Sequence, residues 1–143
     1  MHQPPARRDY ALQVRVYYQD TDAGGIVYHA RYLDYMERAR TEWLRGLGVD
    51  LSRLATDHRR MFVASSISID YLKPARLDNM LTVSAMPEKV ARTYIDLNQN
   101  IFHESMNVTR ARVRIACIDT ATMKPSAMPR EVTTRIILME SSA

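Results

Sequence analysis

Residues 30 to 47 carry the only long helical period in a chain otherwise patterned for strands, and that imbalance narrows the possible architectures more than any other feature. Leu33, Met36, Trp43, Leu44 and Leu47 recur at steps of three and four, Ala39 adds a small contact, and Gly46 and Gly48 supply a stop. A helix of about 18 residues would reach about 27 Å. Around it, apolar side chains alternate. ALQVRVYY sets Leu12, Val14, Val16 and Tyr18 against Gln13, Arg15 and Tyr17. FVASSISIDYLKP sets Val63, Ser65, Ile67, Ile69 and Tyr71 on one side, and LTVSAM does the same with Leu81, Val83 and Ala85. TYIDLNQNIF groups Ile95, Leu97, Gln99 and Ile101, and RARVRIACID groups Ala111, Val113, Ile115 and Cys117. A period of two predicts half-buried strands.

Short, turn-like connections such as ARLDN and FHESMN favour antiparallel neighbours over crossovers. A five-stranded antiparallel sheet with one apolar face must be covered, and the helix at 30–47 is the one element long enough to do it. The expected fold class is therefore α+β, a curved five-stranded sheet wrapped around one long central helix. Its exposed strand edges make an edge-to-edge homodimer a natural remedy. Beyond MKPSAMP, REVTTRIILME reads as a short closing helix with Pro129 at its first position.

With 143 residues the chain suits a single domain, 10–143, preceded by a polar, frayed segment at 1–9. No apolar run approaches the ~18 residues that cross a bilayer, and MHQPPARRDY lacks the apolar stretch of a secretory signal, so a cytoplasmic location is expected. Cys117 stands alone, which excludes an intrachain disulfide or a Cys-rich metal site. His2, His29, His58 and His103 have no ligand-like spacing, so neither metal nor cofactor is expected. The net charge of +4 attracts anions mildly without establishing nucleic-acid binding.

Chemistry concentrates in DTDAGGIVYH, the passage from the first strand into the helix. Gly24 and Gly25 lack Cβ atoms, so the backbone can take positive φ and a ligand can approach the amides. The first amides of the helix, near His29 to Tyr32, have no partners within it and carry the positive end of the macrodipole. A carbonyl oxygen placed there would be polarised, as acyl transfer requires, with Asp22 within reach as nucleophile or general base. Each residue has a plainer role as well. Asp20, Thr21 and Asp22 are good turn or helix caps, His29 can simply begin the helix, and Tyr18 and Tyr28 can be packing residues.

YYQDTDAGGIVYHARYLDYMERARTEWL closely resembles the N-terminal motif of the hotdog-fold acyl-CoA thioesterases of the YbgC type, associated with the Tol-Pal system, in the wider 4-hydroxybenzoyl-CoA thioesterase family. The likeness continues through DYLKPARLDNML and MKPSAMP, covering about Tyr10 to Val132. It implies a hotdog fold, assembly as dimers that pair into homotetramers, and hydrolysis of acyl-CoA to free acid and CoA. The family's catalytic carboxylate falls on Asp22, its His on His29 and its flanking Tyr on Tyr18. Gly24, Gly25, Tyr28 and Arg76 are the expected substrate-binding positions. Gln19 stands where some relatives carry an acid, leaving Asp20 as a lesser support.

Two other readings follow from the same residues. The domain could bind acyl-CoA or acyl carrier protein without hydrolysis, as a scaffold peripheral to the inner membrane. A basic sheet face with Arg110, Arg112 and Arg114 could instead meet nucleic acid or the phosphates of CoA, although ion pairing on a solvated face explains such a triplet equally. For an acyl pocket, Met36, Trp43 and Met61 are the expected lining.

Overall fold

The computed structural model describes residues 10 to 141, with side chains to residue 138, so the frayed segment expected at 1–9 lies outside the described residues. Alternation dictates the sheet. Strands β1 (Tyr10–Arg15), β2 (Arg60–Tyr71), β3 (Met80–Val90), β4 (Tyr94–His103) and β5 (Met106–Asp119) form one antiparallel sheet in the order β1-β3-β4-β5-β2. Three of the expected faces hold without exception. Leu81, Val83 and Ala85 of β3, Ile95, Leu97, Gln99 and Ile101 of β4, and Ala111, Val113, Ile115 and Cys117 of β5 are all buried.

The first and last strands in the sheet order depart from expectation. β1 ends at Arg15, and Tyr18 lies in a 3₁₀ turn, Tyr18–Asp20, rather than on the strand's inner face. In β2 the register against β5 shifts between Ala64 and Ser66. One extra residue there reverses the alternation, so Phe62 and Ala64 pair with Cys117 and Ile115, whereas Ile67 and Ile69 pair with Val113 and Ala111. Val63 and Ile67 therefore do not share a face. A period of two cannot register an inserted residue, which is why the sequence pattern misses it.

Among the described residues three α-helices accompany the sheet, not one long one: α1 (Arg31–Gly46, 16 residues), α2 (Leu51–His58, 8 residues) and α3 (Arg130–Ser141, 12 residues). α1 packs on β1 and β3 and buries Tyr32, Tyr35, Met36, Ala39, Arg40, Trp43 and Leu44. It stops through Gly48, whose φ of 83° turns the chain left-handed while its amide meets the Arg45 carbonyl and the Val49 amide meets that of Leu44. The stretch read as a polar link contains α2. Asp50 caps it, accepting the Ser52 and Arg53 amides at 2.9 and 3.3 Å. Pro129 precedes α3 and offers its carbonyl to the Val132 amide at 3.0 Å, one position earlier than expected.

The core has two parts. Under the far end of α1, Trp43 and Leu44 meet β4, β5 and the α3 residues Val132 and Ile136. Under its start, Tyr32, Tyr35 and Met36 pack with Val16, Val27, Ala75 and Leu81. Each buried side chain of this size contributes about 1.5–3 kcal/mol. The second part is the platform on which the loop before α1 rests.

Candidate active site

The loop from Asp20 to Tyr28 is built by backbone pairing. Thr21 bridges Val27, and Ile26 bridges Arg76 on the segment between β2 and β3. The Asp22 amide donates to the Ile26 carbonyl at 2.9 Å, and the Asp22 carbonyl accepts the Gly25 amide at 3.0 Å. A turn closed this way ends on a left-handed residue, and Gly25 supplies a φ of 78°. Gly24 has a different duty. Its amide donates to Asp22 Oδ1 at 2.8 Å, and a Cβ there would sit 3.2 Å from that oxygen. The Gly pair thus bends the chain at one residue and seats the Asp22 carboxylate at the other. That carboxylate is exposed and forms no ion pair among the described residues.

Asp20 lies beneath, 4% exposed. Its Oδ2 accepts the Tyr17 amide at 2.9 Å, and its carbonyl accepts the Tyr28 amide at 2.9 Å. The buried Tyr35 hydroxyl lies near Asp20 without forming a regular hydrogen bond; burial, and then the Asp20 charge, push its pKa up.

His29 is exposed at the start of α1. Its ring centroid is 4.4 Å from that of Tyr28 and 6.3 Å from that of Tyr71, whose hydroxyl donates to the His29 carbonyl at 3.2 Å. Ala30 takes the cap position with helical backbone and offers no capping side chain. The Tyr28 amide goes to Asp20, that of Arg31 to the Tyr28 carbonyl at 2.8 Å, and that of Leu33 to the Ala30 carbonyl at 3.2 Å. Among the described residues, the amides of His29 and Ala30 meet no protein acceptor. Two unpaired N–H groups at a helix start form an anion site in miniature.

The structure thus gathers Asp22, Gly24, Gly25, Tyr28 and His29 on one loop and sets Arg76 against it through Ile26. Tyr18, in the 3₁₀ turn just before that loop, is 82% exposed, and among the described residues only its backbone carbonyl is engaged, by Thr21. One contributor escapes the sequence reading: Tyr71 reads as part of the apolar face of β2. Asp20 reads as a cap or a lesser support, with no sign of its depth, because a buried acid and an exposed cap have the same letter. Met36 and Trp43, expected in the acyl pocket, are 0% and 2% exposed and belong to the core.

An open groove of ≈ 390 Å³ runs instead between α1 and β2, walled by Leu33, Leu44, Leu51, Phe62 and Ile67. A separate polar notch of ≈ 250 Å³ between α2 and α3 shares no residue with the loop. On the outer face, Arg110 pairs with Asp70, Arg112 with Glu88 and Arg114 with Asp96, and the Arg114 guanidinium lies 3.9 Å from the centre of the Tyr94 ring. The Arg triplet is therefore an ion-paired face. Among the described residues no group of acids, His and Cys is arranged to hold a metal ion, and no helix is long and apolar enough to cross a membrane.

One antiparallel sheet carrying a helix whose start is met by a carboxylate loop defines a hotdog-type α+β domain. Residues 16–136 match the model of the thioesterase-like superfamily, and the chain belongs to that family. It is 43% identical over 123 residues to the acyl-CoA thioesterase YbgC of Haemophilus influenzae, covering 86% of this chain and 90% of that one. To the acyl-CoA thioester hydrolase YbgC of Escherichia coli O157:H7 it is 41% identical over 120 residues, 83% and 89% of the two chains. The crystal structure of a probable thioesterase from Bartonella henselae superposes with a TM-score of 0.81 at 35% identity, covering 85% of this chain and 99% of that one.

Proposed function

We propose that this chain hydrolyses acyl-CoA thioesters to free acid and CoA. The observation that carries the reading is the pairing of an exposed, unbridged Asp22 carboxylate with unpaired His29 and Ala30 amides at the two ends of one short, pinned loop. A thioester carbonyl oxygen at those amides is polarised, and the negative charge that develops as the carbon becomes tetrahedral is met by donors already in place. Asp22 then acts by either of two routes. As nucleophile, its oxygen bonds the acyl carbon, the C–S bond breaks, and water later cleaves the mixed anhydride. As general base, it takes a proton from the water that attacks, and the C–S bond breaks in the same way. CoA leaves as a thiolate, with a reference pKa of about 8.5, so a strong general acid is unnecessary. His29 orients the carboxylate or the water, and the Tyr28 ring beside it borders the acyl carbonyl.

Gly24 and Gly25 admit the thioester to the loop, and Arg76, exposed next to Ile26, meets a phosphate of CoA. Tyr18 borders the entrance from the 3₁₀ turn as an exposed ring. The acyl chain runs into the groove beside α1, and carrier protein in place of CoA presents the same thioester.

A second copy covers the open edge of β2. Support comes from Ile67, 40% exposed on an edge strand, and from Arg40, which is 9% exposed, bonds only the neutral amide of Gln99 and has no ion pair among the described residues. A groove with a buried cation in its wall suits a partner bearing a carboxylate, and α1 itself presents Asp34 and Glu37 along that groove.

Free-thiol release from acyl-CoA tests the reading. Purified protein should release thiol, and Asp22→Asn should lower turnover by orders of magnitude with the melting temperature unchanged. Near-normal turnover in that variant removes Asp22 from the chemistry. Binding of acyl-CoA without thiol release assigns the domain to the scaffold class instead.

A further inference from the structure

We infer that Tyr71 is a positioning residue for thioester hydrolysis, acting through the peptide unit between His29 and Ala30. The inference rests on the assignment of the helix start as the site of the developing oxyanion. Tyr71 ends β2, on the far side of the chain from the Asp22 loop in sequence, and its hydroxyl donates to the His29 carbonyl at 3.2 Å.

The peptide unit is planar and trans, so its C=O and N–H point in opposite directions. A donor on the His29 oxygen therefore leaves the Ala30 N–H directed away from Tyr71, and that N–H has no protein acceptor among the described residues. Hydrogen bonding at the oxygen draws electron density from nitrogen and strengthens the N–H as a donor, as in any hydrogen-bonded chain of amides. It also restrains rotation of the peptide plane. Ala30 brings no capping side chain that could do so, and the adjoining Tyr28 is held through its own peptide groups, its amide on the Asp20 carbonyl and its carbonyl under the Arg31 amide.

The ring is fixed as well as the hydroxyl. Tyr71 packs against Tyr32 of α1 at 5.6 Å between centroids and meets the His29 ring edge-on at 6.3 Å. The Tyr32 hydroxyl in turn accepts the Ala75 amide at 3.1 Å, and the Ala75 carbonyl accepts the Val27 amide at 2.9 Å. The end of β2, the start of α1 and the loop form one closed set of contacts. Burial pushes the Tyr71 pKa up, so the hydroxyl keeps its proton across the neutral range in which a thioesterase is assayed.

Tyr71→Phe keeps the ring and removes only the donor. A fall in kcat of roughly 2- to 12-fold is expected, equivalent to about 0.5–1.5 kcal/mol in the barrier. KM should hold and the melting temperature should move by only a few degrees, because the ring packing survives and the hydroxyl does not touch substrate. A second readout needs no turnover: in the wild-type protein without substrate, the Ala30 amide proton resonance should lie downfield of its position in Tyr71→Phe. An unchanged kcat overturns the inference, and so does a fall in kcat with an unmoved Ala30 resonance, or a rise in KM at constant kcat. If the wild-type protein itself releases no thiol, the failure is that of the proposed activity, and the resonance shift alone then decides whether Tyr71 polarises this peptide unit.

Discussion

Tyr28 donates its amide to the carbonyl of Asp20 at 2.9 Å, so the residue before His29 hangs from the residue two before Asp22. The same Asp20 accepts the Tyr17 amide on its carboxylate at 2.9 Å. One buried residue therefore fixes the outer strand's exit through its carboxylate and the helix's entry through its backbone carbonyl. Asp20→Ala should cost about 1–3 kcal/mol, since it strands a part-buried amide. Turnover should fall beyond what the loss of folded protein explains. Asp20→Asn keeps an acceptor oxygen and should recover most of both. Chemical denaturation alongside thiol release measures the two effects separately.

The Gly pair allows two effects to be told apart. At Gly25 an added Cβ meets open space, but its φ of 78° opposes any L side chain, so Gly25→Ala should lower stability by about 1–2 kcal/mol. At Gly24 the added Cβ sits 3.2 Å from Asp22 Oδ1 and leaves the backbone unstrained. Gly24→Ala should therefore lower kcat/KM while the melting temperature stays near that of the parent. Equal effects of the two substitutions on both quantities would contradict this division of labour.

Much of this arrangement is legible in the letters. Alternation places Leu81, Ile95, Val113 and their neighbours inward because those strands are continuous and covered on one face. The two glycines between Asp22 and His29 announce a backbone under close approach, and the structure shows the approach to be made first by Asp22's own carboxylate. What fails does so for identifiable reasons. The extra residue near Ser65 reverses the phase of β2, and helix α2 offers only Leu51 and Leu54 to a reader looking for an apolar stripe. Tyr71 is invisible as a site residue because its partner, the His29 carbonyl, is a backbone atom 42 positions away. Arg110, Arg112 and Arg114 suggest an anion site until Asp70, Glu88 and Asp96 are found opposite them.

Those pairs make a pH prediction. The Arg114 hydrogen bonds hold the Asp96 carboxyl below the usual carboxylate range, and the Thr122 and Ala121 amides do the same for Asp119. A group depressed on folding contributes stability above its unfolded pKa, about 3.9, and loses it as pH falls through the folded value. Asp96→Asn should therefore be less stable than the parent at pH 6, and the difference should shrink as pH falls from about 5 to about 2. Melting temperatures across that range provide the check. A constant difference would mean that the pair contributes packing rather than charge.

Gln99 offers the sharpest stability test. It is fully buried in β4, where Oε1 accepts from Arg40 Nη1 at 3.2 Å and Nε2 donates to the Met36 carbonyl at 3.0 Å and the Ser84 carbonyl at 3.2 Å. One amide thus ties α1 to β3 and is the only hydrogen-bonding partner the Arg40 guanidinium has among the described residues. Burial pushes the Arg40 pKa down, with Glu37 acting against it. Leu has nearly the volume of Gln, so Gln99→Leu opens little cavity, and its cost is electrical: a buried cation loses its acceptor, about 1.5–3 kcal/mol. Removing both partners should relieve part of that cost, because Arg40→Met takes away the charge left stranded. Urea unfolding of the parent, both single variants and the double variant, all at one protein concentration, gives the coupling. A double variant less destabilised than the sum of the singles is expected. Strict additivity would show that Arg40 draws its compensation from elsewhere, with the carboxylates of a second copy across the groove as the first place to look.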